Sequence, residues 1–256
     1  MPSIGFATIK GGVGKTTLAV HVAAALADRG HKVLFLDFDP QAHSSLVLGL
    51  DSSERPCLGD ALGPKPRHAL AEVVIPSPRR PQLFLAPASL RMAAGERELF
   101  QWGHRLSAIP RAMKNLGWTP DVTIADTPPN LGAFTEAVLN AFDVIAAPVP
   151  TGAFALQGLG ELETAWKEVR EAHGGELVAV VNMLDKRTAA TNSAMDDALK
   201  ELTVPVLRTR IGRAEALNQA GLAYELVYDV SPGAPVSDEL RALADELAAR
   251  VSLRRK

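Results

Sequence analysis

The chain has 256 residues, 47% hydrophobic and 22% charged, with a formal net charge of −2. That is apolar material for a substantial core in one large or two small domains, and the near-neutral charge excludes a generic polyanion binder. One cysteine, Cys57, excludes an intrachain disulfide framework, and no apolar run approaches the roughly 20 residues of a membrane span.

In chain order, residues 4–8 (Ile-Gly-Phe-Ala-Thr) read as a short buried strand. The apolar start is interrupted at once by Lys10 and three glycines, so no signal peptide is expected. The run Lys10-Gly11-Gly12-Val13-Gly14-Lys15-Thr16-Thr17 then forms a glycine-rich turn. Such a turn lets backbone N–H groups converge on phosphate oxygens, and the following helix adds its N-terminal dipole. Lys15 can reach β/γ-phosphates and the Thr16 hydroxyl can ligate Mg²⁺. The ordinary P-loop has glycine where this chain has Ile9, and a second lysine, Lys10, stands at the mouth instead. Leu18, Val22, Ala25 and Leu26 continue at helical spacing up to a stop at Gly30.

Next comes an apolar strand, residues 33–38, ending in Asp37-Phe38-Asp39-Pro40-Gln41. Both carboxylates emerge at the strand's C-terminal edge, where α/β sheets place ligands. Asp39 can position or deprotonate a water facing the γ-phosphate, and Asp37 can support Mg²⁺ or the loop; either could instead cap the next turn. Residues 51–81 carry six prolines and are expected to be a surface excursion rather than a domain boundary. A further strand, 122–125, delivers Asp126 to the same edge, suited to Mg²⁺ or one of its waters. Pro128 and Pro129 stiffen the turn after it.

Strand-like runs also occupy 83–86, 144–149, 177–181 and 204–207, alternating with helical patterns at 134–142, 156–173, 191–202 and 236–251. Uniformly apolar strands predict a sheet buried on both faces. The expected fold is therefore a single α/β domain with a mostly parallel twisted β-sheet and helices on both faces. The six histidines, His21, His31, His43, His68, His104 and His173, are scattered and read as surface or core residues rather than metal ligands.

The three motifs together resemble the ParA/MinD family of deviant-Walker-A ATPases, closest to its ParA-like (Soj-like) partition members. The likeness extends through Pro148-Val149-Pro150, Ala155-Leu156-Gln157-Gly158, Asn182-Met183, Gly221, Ser231-Pro232 and the last helix, over essentially all 256 residues. The resemblance implies an ATP-dependent homodimer with two sandwiched ATP molecules, in which Lys10 reaches the partner's phosphates. It gives hydrolysis to Asp39, Mg²⁺ to Thr16 and Asp126, and adenine contact to Asn182 with its neighbour Met183. It further implies slow ATP hydrolysis, a ParB-like or other centromere-binding activator, nonspecific DNA as platform, and a cytoplasmic, nucleoid-associated location.

For DNA, the candidate residues are Arg187, Arg208, Arg210 and Arg213. The family's I-P-R-N-V-R-like run is Ile211-Gly212-Arg213-Ala214-Glu215-Ala216 here, so Ala216 stands where a second arginine is expected. Other basic clusters, Lys65-Arg67-Arg79-Arg80 and Arg254-Arg255-Lys256, read equally as solvated surface. The P-loop begins ten residues in, so no N-terminal DNA-reading extension is expected. The C-terminal segment has no aromatic anchor and only a short apolar face, which argues against a membrane-surface helix. The alternative is a MinD-like or orphan ParA-like ATPase that positions a protein cargo on a nucleoid or membrane. A metabolic P-loop enzyme of the amidoligase or reductase kind lacks a visible second-substrate constellation.

Overall fold

The computed structural model describes residues 1–51, 55–170 and 175–254. Among these, seven strands form one sheet: β1 (Ser3–Phe6), β2 (Val33–Asp37), β3 (Ile75–Pro76), β4 (Leu83–Ala86), β5 (Val122–Asp126), β6 (Val144–Pro150) and β7 (Glu176–Asn182). Their order across the sheet is β3-β4-β2-β5-β1-β6-β7, and only β3 runs antiparallel to its neighbour. The first part of the chain, up to β6, supplies helices α1 (Lys15–Asp28), α2 (His43–Val47), α3 (Leu70–Val73), α4 (Met92–Gln101), α5 (Ala108–Met113) and α6 (Ala133–Ala141). The second supplies α7 (Ala153–Val169), α8 (Ala189–Lys200), α9 (Glu215–Leu222), α10 (Val227–Val230) and α11 (Pro235–Arg250).

Strand alternation divides the core into two layers. Leu34, Leu36, Ala125, Ile145, Ala147, Ala179 and Val181 face helices α4 to α8. Val33, Phe35, Ile124, Val144, Ala146, Val178 and Val180 face α1 and α9 to α11. Successive side chains of a strand point to opposite faces, so uniformly apolar strands are what a doubly covered sheet requires. Because β1, β2, β5, β6 and β7 are parallel, their C-terminal ends share one edge, and the chemistry-bearing loops all leave from it.

Helix α11 begins with Pro235 in its first turn, where a missing N–H costs nothing, one residue before the expected 236. Helices α6 and α8 lie within two residues of their expected bounds. Helix α7 starts three residues before the expected 156 and ends at Val169, with Arg170 already out of the helix. Residues 171–173 of the expected span lie outside the described residues, as do Arg255 and Lys256.

Two expectations are corrected. The run at 204–207 is no full strand: it makes one bridge, Ala179 with Val206, bonded through the Pro205 carbonyl and the Leu207 N–H. Pro205 has no N–H to extend a ladder, so the segment stays a fragment at the sheet edge. The proline-rich stretch is also more than a surface excursion. Cys57, Leu58, Leu70 and Val73 are buried in the core layer with α4, and the Cys57 thiol contacts Asp60.

His21 of α1 is buried and links two parts of the helical layer. Its Nε2 accepts the Val227 N–H at 2.9 Å, which leaves Nδ1 as donor to the Thr17 carbonyl at 2.7 Å. Its ring meets Tyr228 edge-on, 5.3 Å between centroids. Burial pushes the imidazole down to about 4 from its ordinary 6.5, although the Thr17 carbonyl opposes the shift. The unfolded chain therefore takes up a proton below about 6.5 that the folded chain refuses until about 4. Stability contributed by neutral His21 is present above 6.5 and lost as pH falls towards 4. The stability difference between the native chain and His21→Gln should shrink over that interval in denaturant titrations. A difference constant with pH would contradict the assignment.

Candidate nucleotide-binding site

The loop between β1 and α1 is shaped by its glycines. Gly12 and Gly14 have φ of +74° and +85°, the left-handed region that side chains disfavour. At Gly14 a Cβ would lie 2.3 Å from the Asn182 amide nitrogen, so the position is closed to any other residue. At Gly11 and Gly12 a Cβ would meet nothing within 4 Å, which leaves open space over the exposed side of the loop. The loop thus rests on β7 from below and faces solvent from above. Its backbone at 11–14 and the N-terminal turn of α1 together form an anion cradle.

Beneath the loop, the Lys15 ammonium pairs with Asp126 Oδ1 at 2.6 Å, both groups buried. Asp126 Oδ2 accepts two hydroxyls, Thr16 Oγ1 at 2.7 Å and Ser44 Oγ at 2.6 Å. A carboxylate with no solvent exposure is tolerable only when paired and hydrogen-bonded, and here four bonding directions of two oxygens collect three partners. Strands β2 and β5 are in register, with Asp37 opposite Asp126. Asp37 Oδ2 accepts the Ser45 N–H and hydroxyl at 3.0 and 2.6 Å, while Oδ1 accepts the Asp39 N–H at 3.1 Å. Burial, then the facing Asp126 carboxylate, push the Asp37 acid up to about 7 against those three donors.

The structure therefore brings Lys15, Thr16 and Asp126 together and holds Asp37 apart, on Ser45 and Asp39. Asp39 is half-buried, and its carboxylate accepts the Gln41 N–H at 3.0 Å. It lines one open cleft with the whole run from Lys10 to Thr17, together with Gln41, His43, Pro129 and Met183. Lys10 lays its stem over Gly158 of α7, where a Cβ would sit 3.2 Å from Cε. Its backbone N–H reaches Thr8 Oγ1 at 3.2 Å. Asn182 is buried at the end of β7 and donates to the Val13 carbonyl at 2.7 Å, a contact that supports the loop. Met183 follows in a left-handed conformation, φ +54°.

Ser44 and Ser45 were not singled out from the sequence. The available signal was their place seven and eight residues beyond Asp37 in an otherwise unpatterned stretch, too weak to read without the register of β2 and β5. Consecutive hydroxyls on α2 hold the two buried aspartates, one each. Ser45 Oγ also accepts the Ala88 N–H at 3.2 Å, tying the loop after β4 to the same knot.

The candidate DNA-binding arginines lie away from the cleft and beside carboxylates. Arg187 pairs with Asp185 through two nitrogens at 2.9 and 2.7 Å and holds that carboxyl far below its ordinary range. Arg210 stands 2.6 Å from Asp196, and Arg208 is 3.9 Å from Glu246. Arg213 adds positive potential at Asp185. Of the other cluster, Arg67 pairs with Asp60, Arg79 with Glu225, and Arg80 with both Asp28 and Asp229.

A parallel sheet with a glycine cradle after β1, a lysine opening α1 and a buried aspartate ending β5 defines a P-loop nucleotide-binding protein. A family model described as an AAA domain matches residues 1–178. The chain belongs to the Soj/ParA family of P-loop ATPases. It is 30% identical to the sporulation initiation inhibitor protein Soj of Bacillus subtilis, across 94% of this chain and 95% of that protein. It is 30% identical to the chromosome-partitioning ATPase Soj of Thermus thermophilus, across 97% and 96%. Among solved structures it is similar to cobyrinic acid a,c-diamide synthase from Mycobacterium smegmatis with bound ATP analogue and magnesium. That match has 26% identity and a TM-score of 0.82, covering 100% of this chain and 98% of the other.

The glycines can be separated by role. Gly14→Ala should lose about 1–2 kcal/mol from left-handed strain alone, with the Asn182 clash added, and should weaken nucleotide binding by more than tenfold. Gly11→Ala, over open space, should leave thermal unfolding close to native. Equal losses for the two would contradict the cradle geometry.

Proposed function

We propose that the chain is a ParA-type switch: one P-loop domain spanning residues 1–256 that binds ATP with Mg²⁺, closes as a homodimer and then associates nonspecifically with DNA. The observation that carries this reading is the Lys10-to-Thr17 loop lying over the buried Lys15–Asp126 pair, with Asp39 facing the same cleft. Two relatives with matching length and 30% identity are a Soj protein and a chromosome-partitioning ATPase.

The residues present fit the ligand. The open side of Gly11 and Gly12 gives phosphates room, and hard oxygens from Thr16 and Asp126 converge within 2.7 Å, the donor type that Mg²⁺ prefers. Bound MgATP supplies the phosphoryl group and the negative charge that this site is built to meet. The amides of residues 11–17 and the Lys15 ammonium take the phosphate oxygens. Lys15 then trades one anion, Asp126, for another, so its burial stays compensated throughout. Thr16 and Asp126 hold the cation, with Asp37 supporting the loop from α2. Asp39 orients the attacking water and accepts its proton in hydrolysis. Asn182 and Met183 border the adenine at the end of β7.

Lys10 gives the dimer its dependence on the γ-phosphate. A second chain's Lys10 entering the cleft neutralises charge that exists only while ATP is intact, so hydrolysis removes the contact that favours the closed pair. A ParB-like activator would act on this slow step, and the platform would be the nucleoid. Arg187, Arg208, Arg210 and Arg213 are the sequence candidates for the DNA contact. Among the described residues no helix is long and apolar enough to cross a membrane.

A second reading, an amide-forming ATP-dependent enzyme, draws on the 0.82 TM-score to the diamide synthase. It requires ATP consumption that depends on a carboxylate acceptor and an amide donor, and is indifferent to DNA.

DNA binding measured with ATP, with ADP and after Lys15→Ala separates these readings. The switch requires binding with ATP only; binding that ignores nucleotide contradicts it. Asp39→Ala should accumulate as a dimer in MgATP on size-exclusion chromatography with light scattering. A monomer under those conditions would remove Asp39 from the hydrolytic role.

A further inference from the structure

The segment from Arg91 to Lys114 holds five Lys or Arg side chains and two carboxylates, in a chain whose net charge is −2. It forms α4, the turn at Arg105–Ser107 and α5, on the sheet face opposite α1 and α11. Two of its five cations lie over aromatic rings. The Arg111 guanidinium lies 4.7 Å from the Trp102 ring centroid, and Arg105 lies 5.6 Å from that of Phe100. The His104 ring meets Trp102 at 6.0 Å. Phe100 is 59% exposed although it follows the buried Leu99. Arg97 is three residues before Phe100 and Lys114 three after the ring-bound Arg111, each at the helical spacing that puts the pair on one face.

These cations differ from those near the C-terminal half. Among the described residues, Arg97, Arg111 and Lys114 make no ion pair and Arg105 pairs with Glu136, whereas Arg187, Arg208 and Arg210 stand beside carboxylates and Arg213 alone of that set makes no ion pair. Exposed ion pairs are individually weak, yet each carboxylate cancels the local potential that a phosphate backbone would feel. A guanidinium stacked on a ring keeps its N–H fork directed outward and loses less conformational freedom when it meets a phosphate. Arg91 belongs less to this surface, because it contacts the Arg55 carbonyl and stands 4.0 Å from Asp60. Glu98 is exposed on α4 and is the one carboxylate facing solvent there.

We propose that the α4–α5 face, through Arg97, Arg111 and Lys114 with Phe100 and Trp102 as its aromatic floor, is the principal surface for the phosphodiester backbone of DNA. The inference rests on the partition-switch reading for its choice of nucleic acid. The face is also wired to the nucleotide site. Arg105 Nε bonds Glu136 at 2.7 Å in the first turn of α6, and Glu96 accepts the Phe134 N–H in the same turn. Helix α6 begins directly after the Asp126–Asn130 loop that borders the phosphates. The basic face is thus seated on the helix that follows this loop.

The test uses the full chain in MgATP and a fluorescent duplex of arbitrary sequence, titrated between about 50 and 200 mM salt. The triple variant Arg97→Glu, Arg111→Glu, Lys114→Glu should bind at least about tenfold more weakly. Its slope of log affinity against log salt should be shallower by about 2–3, from a change of about 0.9 per phosphate contact. Arg208→Ala with Arg210→Ala should lose far less. Binding of a fluorescent ATP analogue and the unfolding midpoint report whether the triple variant is folded and nucleotide-competent. The milder Arg97→Gln, Lys114→Gln pair, which leaves the Trp102 stack intact, should give an intermediate loss. Duplex binding by the triple variant equal to native would overturn the surface. So would competition by poly-glutamate as strong as by unlabelled duplex, which would assign the face to an acidic protein. A native chain that binds the ATP analogue but no duplex overturns the surface together with the DNA-binding step of the switch, and leaves only the nucleotide site standing. A native chain that binds duplex and a triple variant that binds it equally well overturn the surface alone.

Discussion

Asp126 is the constraint around which the phosphate-facing edge is built. It is a carboxylate with no solvent exposure, delivered by a central strand, and it cannot stay charged there without partners. Lys15 from α1 and hydroxyls from Thr16 and Ser44 meet that demand. Three separate segments are thereby fixed relative to one another: the end of β5, the start of α1 and the short helix α2. Removing one partner from such a knot costs about 3–5 kcal/mol, because the remaining charge is left buried and alone. The same cost explains how the site can respond to a ligand. A polyanion over the loop offers Lys15 a second partner, and a cation beside Thr16 offers Asp126 one.

The neighbouring Asp37 extends the constraint to the segment bearing Asp39. Burial first, and then its position opposite Asp126 on the adjacent strand end, raise the proton affinity of Asp37 and make donors necessary. Ser45 and the Asp39 backbone supply them. Asp39 is consequently positioned by its own main chain, with its side chain left to face the cleft. Loop, strand ends and α2 form one hydrogen-bonded unit that runs from Lys15 and Thr16 through Asp126 and Asp37 to the Asp39 main chain.

Much of this was readable from residue order. Uniform apolarity of 33–38, 122–125 and 144–149 predicted a sheet covered on both faces, and the two core layers follow that alternation residue by residue. The glycine run between Lys10 and Lys15 located the cradle because few sequences other than a phosphate loop need that conformation. Long-range register was not readable: nothing in Gln41-Ala42-His43-Ser44-Ser45 says which aspartate each serine will meet. Pro205 was visible, yet its effect on the edge segment depended on which neighbour the segment would seek. The burial of Cys57 and Leu58 was hidden by prolines that mark turns but do not reveal what packs beneath them. The aromatic–arginine stacks on α4 and α5 escaped notice because Trp102 and Arg111 are nine residues apart and meet only through a turn.

The central claim is that Lys15 exchanges Asp126 for a nucleotide phosphate while Thr16 and Asp126 remain together at the cation position. A crystal structure with a nonhydrolysable ATP analogue and Mg²⁺ tests it most directly. The account predicts Lys15 Nζ withdrawn from Asp126 and bonded to a phosphate oxygen, with a second chain's Lys10 entering the same cleft. A nucleotide-bound structure in which Lys15 stays on Asp126, with the phosphates held elsewhere, would contradict it.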